Sequence, residues 1–219
     1  MAAHRALSRL FARWIHDGRL RYDCETTLNF ALELGLIAEH TQGMDVKTHL
    51  QNWDKYTPET LAGQPSDSLL FPKAMQADCL LYRGGKKARL ALTLLGKPAV
   101  RLPEAYWLSF HAADILNVMA EKLGEPVVVM DVVEGGNRQM HGIDRYVDVK
   151  TASHGTFRIW GDDAFLVNIG EACGLNSSTA LPQLSGGLHF NLSNNLWGTN
   201  FSMWNEGSLT YHFMIERID

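Results

Sequence analysis

The sequence has little cysteine and no long hydrophobic run. Its three cysteines, Cys24, Cys79 and Cys173, are far apart and form no CxxC pair, so neither a zinc ribbon nor a disulfide framework is indicated and we expect reduced, buried thiols. The longest apolar runs, such as residues 126–133, are too short to span a bilayer. The N-terminus carries spaced arginines in a helical pattern rather than an apolar signal core. These features favour a cytoplasmic protein.

The sequence also lacks an excess of charge and the common catalytic fingerprints. Its formal net charge is −4 and its pI is about 6.1, and the charges are mixed, so neither nucleic acid nor a membrane surface is an expected partner. There is no GxSxG motif, P-loop, HExxH motif or dinucleotide fingerprint, which excludes several enzyme classes. A hydrophobic content of 46% can supply a core.

The hydrophobic periodicity changes along the chain. Helical spacing is seen at residues 6–15, 23–36 and 44–53, and the proline-containing residues 56–73 resemble a linker. Residues 113–123 suggest a helical turn or two. Short strand patterns follow the linker, at residues 79–82, 89–95, 106–111, 127–133, 145–150, 156–159, 165–169, 188–192 and 209–218. We therefore predict an α+β chain with a helical segment at 1–55, a linker at 56–73 and a mainly antiparallel β-sandwich at 74–219.

The closing loop is the most distinctive segment. The strand at 188–192 runs into a stretch rich in Asn, Gly and Trp that extends to Trp204. Its amides and rings, with Asn194, Asn195 and Trp204 as the ligand-side candidates, could bind a sugar. The alternative is a structural corner whose tryptophans fill the core and whose asparagines satisfy buried backbone groups. We expect Trp197 to be structural.

A resemblance to a known family covers five segments in order. The loop residues Asn194-Asn195-Leu196-Trp197-Gly198-Thr199-Asn200-Phe201 resemble the C-terminal signature of bacterial glycoside hydrolase family 38-like proteins, which are relatives of the α-mannosidases. The other segments that are similar to this family are residues 5–20, 38–41 with 43–47, 97–105 with 107–110, and 131–133 with 136–141. Five ordered matches are more specific than any one of them.

The resemblance implies that only part of the family's architecture is present. The catalytic domain, which supplies the nucleophilic Asp and most zinc ligands, would lie upstream of Met1. A second gap, between Tyr56 and Leu94, implies the loss of the rest of a helical region and of the first part of a galactose-mutarotase-like β-sandwich. His40 matches a zinc-ligand position, but Thr41 stands where the α-mannosidases have Asp. Zinc is therefore expected in a complete family member and not in this chain alone, because a catalytic zinc normally takes three protein ligands.

A second candidate cluster follows the strand predicted at 127–133. Asn137, Arg138 and His141 could form a β-domain loop that reaches toward a sugar. The structural alternative is an ion pair of Arg138 with Asp144 or Glu134, with His141 capping a turn.

Three hypotheses for function remain open at this point. The chain could serve carbohydrate hydrolysis as a scaffold and substrate-side wall beside a separately encoded catalytic domain, and would then be inactive alone. It could instead be a non-catalytic carbohydrate-binding module, or a truncated product with no activity. Because missing strands would leave an unpaired edge and an uncovered apolar face, we also expect a homo-oligomer or an aggregation-prone monomer.

Overall fold

The computed structural model describes residues 7, 10, 11, 13–21, 24–30, 72–99, 104–174, 178–196 and 206–219. Helical residues 13–16 and 25–30 precede the β-region. Gly18 follows the first helical stretch with a φ of 68°, a conformation that glycine adopts without strain. The rings of Phe11 and Phe30 pack at 5.3 Å between centroids. The helix predicted at 44–53, most of the linker, His40, Trp197 and Trp204 lie outside the described residues.

Within the described residues, eleven strands form two antiparallel sheets. The larger sheet has seven strands in the order β1-β2-β11-β8-β7-β4-β5, and the smaller has four in the order β3-β10-β9-β6. A 3₁₀ turn at Leu184–Gly186 precedes β10. The strands are β1 (Ala74–Leu81), β2 (Lys87–Lys97), β3 (Ala105–Phe110), β4 (Ile115–Lys122), β5 (Glu125–Val128), β6 (Met140–Gly142), β7 (Tyr146–Thr151), β8 (Gly155–Gly161), β9 (Leu166–Ile169), β10 (Leu188–Asn194) and β11 (Gly207–Arg217). The predicted α+β, mainly antiparallel β fold is confirmed.

The core lies where alternate residues of the two sheets meet. Leu188, Phe190 and Leu192 of β10 are buried on one face, as their spacing predicts. Phe190 and Phe213 are nearly fully buried, and their rings meet edge-on with centroids 5.3 Å apart. Phe110 joins the same aromatic cluster. This cluster joins the smaller sheet to the centre of the larger one.

Residues 113–123 were expected to be helical, and this prediction is wrong. They contain β4, which pairs with β7 on one side and β5 on the other. The segment contains Met, Ala, Glu and Lys, which favour helices, but two ladders and the burial of Val118 and Ala120 outweigh that propensity. The strand expected at 127–133 also ends early, at Val128, and β6 was not predicted because three residues carry too little periodicity.

The expectation that the three thiols are buried is wrong. The three cysteines form no disulfide, but Cys24 and Cys79 are exposed and Cys173 is half-buried. Cys79 is exposed because every residue of β1 is exposed. This strand ends the larger sheet, and its exposure along its whole length shows that the smaller sheet does not cover it.

Candidate functional site

The 137–141 loop is held by its own polar side chains. Asn137 Oδ1 accepts hydrogen bonds from the backbone N–H groups of Gln139 at 2.9 Å and Met140 at 3.2 Å. This is an Asx turn, in which a short amide side chain fixes the backbone that follows it. Arg138 Nη2 donates to the Val132 carbonyl at 3.2 Å. Both side chains therefore shape the loop.

His141 is buried in the same loop, with 2% of its surface exposed. Its Nε2 lies 3.2 Å from the Arg138 carbonyl, and its Nδ1 lies 3.5 Å from Lys122 Nζ. A carbonyl only accepts and an ammonium only donates, so the contacts fit a neutral ring protonated at Nε2. Burial, followed by the charge of Lys122, lowers the pKa of His141 below its usual value. His141 therefore links the loop to β4.

Asn194 and Asn195 stand at the end of β10 and are also engaged within the chain. Asn194 Nδ2 donates to Asn191 Oδ1 at 2.7 Å, and Asn194 Oδ1 accepts from the Leu196 N–H at 3.3 Å. Asn195 Oδ1 accepts from the Glu104 N–H at 2.7 Å, while the Asn195 N–H donates to the Glu104 carbonyl at 3.1 Å. Asn195 therefore extends the pairing of β10 with β3 beyond Asn194, because its side-chain oxygen and its backbone N–H both bond the backbone of Glu104.

A charged cluster lies against this junction. Lys97 Nζ, on a side chain only 1% exposed, forms an ion pair with Glu104 and donates to the Pro98 carbonyl at 3.1 Å. Tyr106 donates its hydroxyl to Glu104 Oε2 at 3.2 Å. Burial, and then the Glu104 charge, raises the pKa of Tyr106 to about 12. A buried ammonium needs such partners, so Glu104 anchors the ends of β2, β3 and β10.

Sequence reasoning missed a polar row on the outer face of the smaller sheet. Ser109, His189 and Asn168 lie opposite one another on β3, β10 and β9. Ser109 Oγ is 2.8 Å from His189 Nδ1, and Asn168 Nδ2 donates to the Cys173 carbonyl. Burial, followed by the neighbouring His111 ring, lowers the pKa of His189. The alternation along 188–192 places His189 on this face, but its partners depend on strand order.

Two buried atoms in this row have no hydrogen bond to the described residues, His189 Nε2 and Asn168 Oδ1. The carbonyls of Gly170 and Gly186 lie close enough to His189 to raise its pKa, which partly offsets burial. The contact geometry falls short of a hydrogen bond. We therefore read the row as a cross-strand link in which Ser109 and His189 tie the edge strand β3 to β10.

The candidate residues do not form one cluster. The 137–141 loop leads into β6, at one edge of the smaller sheet, whereas Asn194 pairs with Ala105 of β3 at the other edge. His141 lies opposite Val167, which lies opposite Phe190, so its side chain shares the core face. Strand β9 lies between the two candidate groups.

The described residues do not fit a zinc site. Among them, no group of three His, Cys, Asp or Glu side chains is placed to hold a metal ion, and His40 lies outside the described part. The described helices include none that is long and apolar enough to cross a membrane.

Comparison with known proteins gives one family match. A family model described as "Domain of unknown function (DUF5054)" matches residues 1–76, so the match ends within β1. No curated protein and no solved structure matches the chain.

Proposed function

We propose that this chain is the C-terminal portion of a glycoside hydrolase family 38-like protein and serves carbohydrate hydrolysis as a scaffold and substrate-side wall, without turnover of its own. The five ordered sequence segments support the ancestry. Zinc and the catalytic nucleophile would belong to a separately encoded catalytic domain. The carbohydrate would then contact this chain at one wall of a site completed by its partner.

One observation supports the scaffold role over direct binding. The candidate side chains Asn137, Arg138, His141, Asn194 and Asn195 all make contacts within the chain. A sugar site offers donors and acceptors to hydroxyl groups, whereas the side-chain oxygens of the three asparagines and both ring nitrogens of His141 already make contacts that fix loops and strand ends. The exception is the buried Nε of Arg138, which has no hydrogen bond to the described residues. The bonds of Arg138, His141, Asn194 and Asn195 are part-buried, and breaking one of them to admit a ligand would cost roughly 1–3 kcal/mol for each group left unpaired.

The position of β1 gives independent support for the ancestry. The resemblance implies that the first part of a larger β-domain is missing before Leu94. The first strand of the β-region, β1, is the end strand of the larger sheet and is exposed along its length. An uncovered terminal strand is expected where preceding strands have been lost.

The alternative, a non-catalytic carbohydrate-binding module, is favoured by a different surface. Tyr146 and Trp160 are neighbours on the outer face of the larger sheet, opposite the buried side chains of Val147 and Ile159, with ring centroids 6.3 Å apart. The Arg158 guanidinium lies 3.7 Å from the centroid of the Tyr146 ring and 5.8 Å from that of the Trp160 ring, so the Tyr146 ring is the more closely covered by the cation. Trp160 is therefore the better platform for a sugar in this alternative.

Activity assays separate these roles. We expect purified full-length chain to hydrolyse no aryl α-mannoside or related aryl glycoside, with or without added zinc. The matched variant is His40→Ala, at the position that resembles a zinc ligand. A rate in the unmodified chain that disappears in His40→Ala would contradict the scaffold proposal.

A binding experiment tests the alternative. Titration of the chain with mannose and other monosaccharides, followed by tryptophan fluorescence, should show no saturable change if the chain is a scaffold. Saturable binding that is lost in Trp160→Ala and kept in Phe165→Ala, another half-exposed aromatic residue, would favour the module instead.

A further inference from the structure

The strand β1 is an open edge of the larger sheet. All eight of its residues are exposed, with Met75 at 70%, Leu81 at 66% and Leu80 at 57%. It pairs with β2 along its whole length, and no described strand pairs with its other side. Such an edge presents unpaired backbone N–H and C=O groups to any strand that can align with it.

One face of β1 continues the hydrophobic core outward. Residues directly opposite each other in an antiparallel pair point to the same face. Met75 lies opposite Leu94, which is 1% exposed, and Cys79 lies opposite Leu90, which packs against the core. The stripe formed by Met75, Ala77, Cys79 and Leu81 is therefore core surface that the smaller sheet does not cover.

The strand carries little to prevent self-association. Natural edge strands are protected by proline, lysine, inward charges or short length. Within β1 there is neither proline nor lysine, and Asp78 is its single charge. Gln76 Nε2 already donates to Asp78 Oδ2 at 2.9 Å along the strand, so both groups stand on the face opposite the apolar stripe.

We propose that two copies of this chain associate through β1, paired antiparallel about a two-fold axis that passes through Ala77 perpendicular to the sheet. Such an axis places residues equidistant from Ala77 opposite each other. Met75 then lies opposite Cys79 on the apolar face. Gln76 lies opposite Asp78, so an amide can donate to a carboxylate at two symmetric places. The two larger sheets become one continuous sheet through both copies.

The charge of Asp78 selects this register and favours a second copy as the partner. An axis through Asp78 would place two carboxylates directly opposite each other, which is unfavourable. An axis through Ala77 separates them and gives each carboxylate an amide donor. The strand thus contains both members of the pair in positions that satisfy its own two-fold copy.

Charge placement tests the register in the full chain. We expect sedimentation velocity to show a monomer–dimer equilibrium for the unmodified chain. Gln76→Asp should weaken the dimer, with the dissociation constant rising on the order of tenfold, because a carboxylate then faces Asp78 twice. Adding Asp78→Gln to that variant exchanges the two side chains and should restore the dimer, because each carboxylate again faces an amide. Composition and net charge are then those of the unmodified chain.

Cysteine cross-linking tests the axis directly. In a background of Cys24→Ser, Cys79→Ser and Cys173→Ser, the Ala77→Cys variant should form an intermolecular disulfide on mild oxidation. Directly opposite residues in an antiparallel pair have Cα atoms roughly 4.5–5.5 Å apart, within disulfide reach. The control is Met75→Cys in the same background, which should not cross-link because its symmetry mate would be roughly 13 Å away.

Three results would overturn the proposal. The first is a monodisperse monomer at every concentration measured. The second is an oligomer whose dissociation constant is unchanged by Gln76→Asp, or one that the exchanged double variant fails to restore. The third is cross-linking of Met75→Cys with none at Ala77→Cys. Thermal melts of each variant, recorded at protein concentrations below the dissociation constant of the dimer, separate loss of the dimer from loss of the fold.

Discussion

The two edges of the larger sheet differ in how they end. At one edge, β5 is four residues long, begins with Glu125 and Pro126, and is followed by the buried Val129, whose N–H donates to the Val118 carbonyl. At the other edge, the eight residues of β1 are exposed and contain a single charge. The β5 edge, called the guarded edge below, is short, contains a charge and a proline, and is hydrogen-bonded to β4. The β1 edge, called the open edge, is long and exposed. The difference indicates that stability resides in the other six strands of the larger sheet, which run from β2 through β11, β8, β7 and β4 to β5. Strand β1 instead offers surface for association.

The largest expected difference in the free energy of unfolding is between a substitution at the centre of the larger sheet and one at its open edge. Phe213→Ala, on β11, removes a ring packed against Phe110 and Phe190 and should lower the free energy of unfolding by about 3–5 kcal/mol. The control, Met75→Ala on β1, should change it by no more than about 0.5 kcal/mol under conditions in which the chain is monomeric. Guanidinium denaturation of both variants measures the difference, and equal losses would contradict it.

A smaller loss is expected from the buried carboxylate beside the guarded edge. Glu121, on β4 opposite Pro126, is fully buried and accepts hydrogen bonds from Arg145 N at 2.9 Å, Nη2 at 3.0 Å and Nε at 3.2 Å. Glu121→Ala should cost about 1–3 kcal/mol, since the partly exposed Arg145 can regain water.

The matched control for this pair is Asp148→Ala. It removes the carboxylate that Arg158 holds at 2.7 Å through two nitrogens on the outer face of the same sheet. That pair is partly exposed, so its loss should cost no more than about 1 kcal/mol. Urea denaturation would contradict the assignment if Asp148→Ala proved the more damaging change.

The sequence allows the fold class to be predicted because alternation is strong in β2, β10 and β11. It does not allow the two edges to be distinguished. The mistaken helix at 113–123 shows the reason: local propensity at β4 is overruled by two neighbouring strands whose positions depend on topology. In the same way, the role of Asn195 depends on Glu104, 91 residues away in sequence. From its residue type, Asn195 was predicted to face a ligand. Only the strand order shows that Asn195 ends the ladder between β10 and β3.

Acid should lower the stability of the fold through His141, which lies in β6 of the smaller sheet and contacts Lys122 at the end of β4. Its pKa is lowered in the folded chain, whereas the unfolded side chain titrates near the ordinary value of about 6.5. The unfolded state therefore binds more protons below that pH, and stability, fully present above it, should fall as the pH drops from about 6.5 toward the folded pKa.

Substituting His141 and His189 in turn shows how much each histidine contributes to this acid sensitivity. His141→Gln should flatten the dependence of the unfolding free energy on pH, and His189→Gln should also flatten it, since burial lowers that pKa as well. The double variant should be flatter than either. Denaturation between pH 5 and 7.5, taken as a range around about 6.5, measures the slopes. An unchanged slope in the double variant would show that other groups cause the acid loss.

Hydrogen exchange at two protein concentrations tests the contrast between the edges most directly. Amides of a β1 strand that pairs with a second copy gain hydrogen-bond partners, so their protection should rise with protein concentration. The amides of β5 should exchange at the same rate at both concentrations, because that edge has no place in the association. Concentration-dependent protection in β5 with none in β1 would contradict the account.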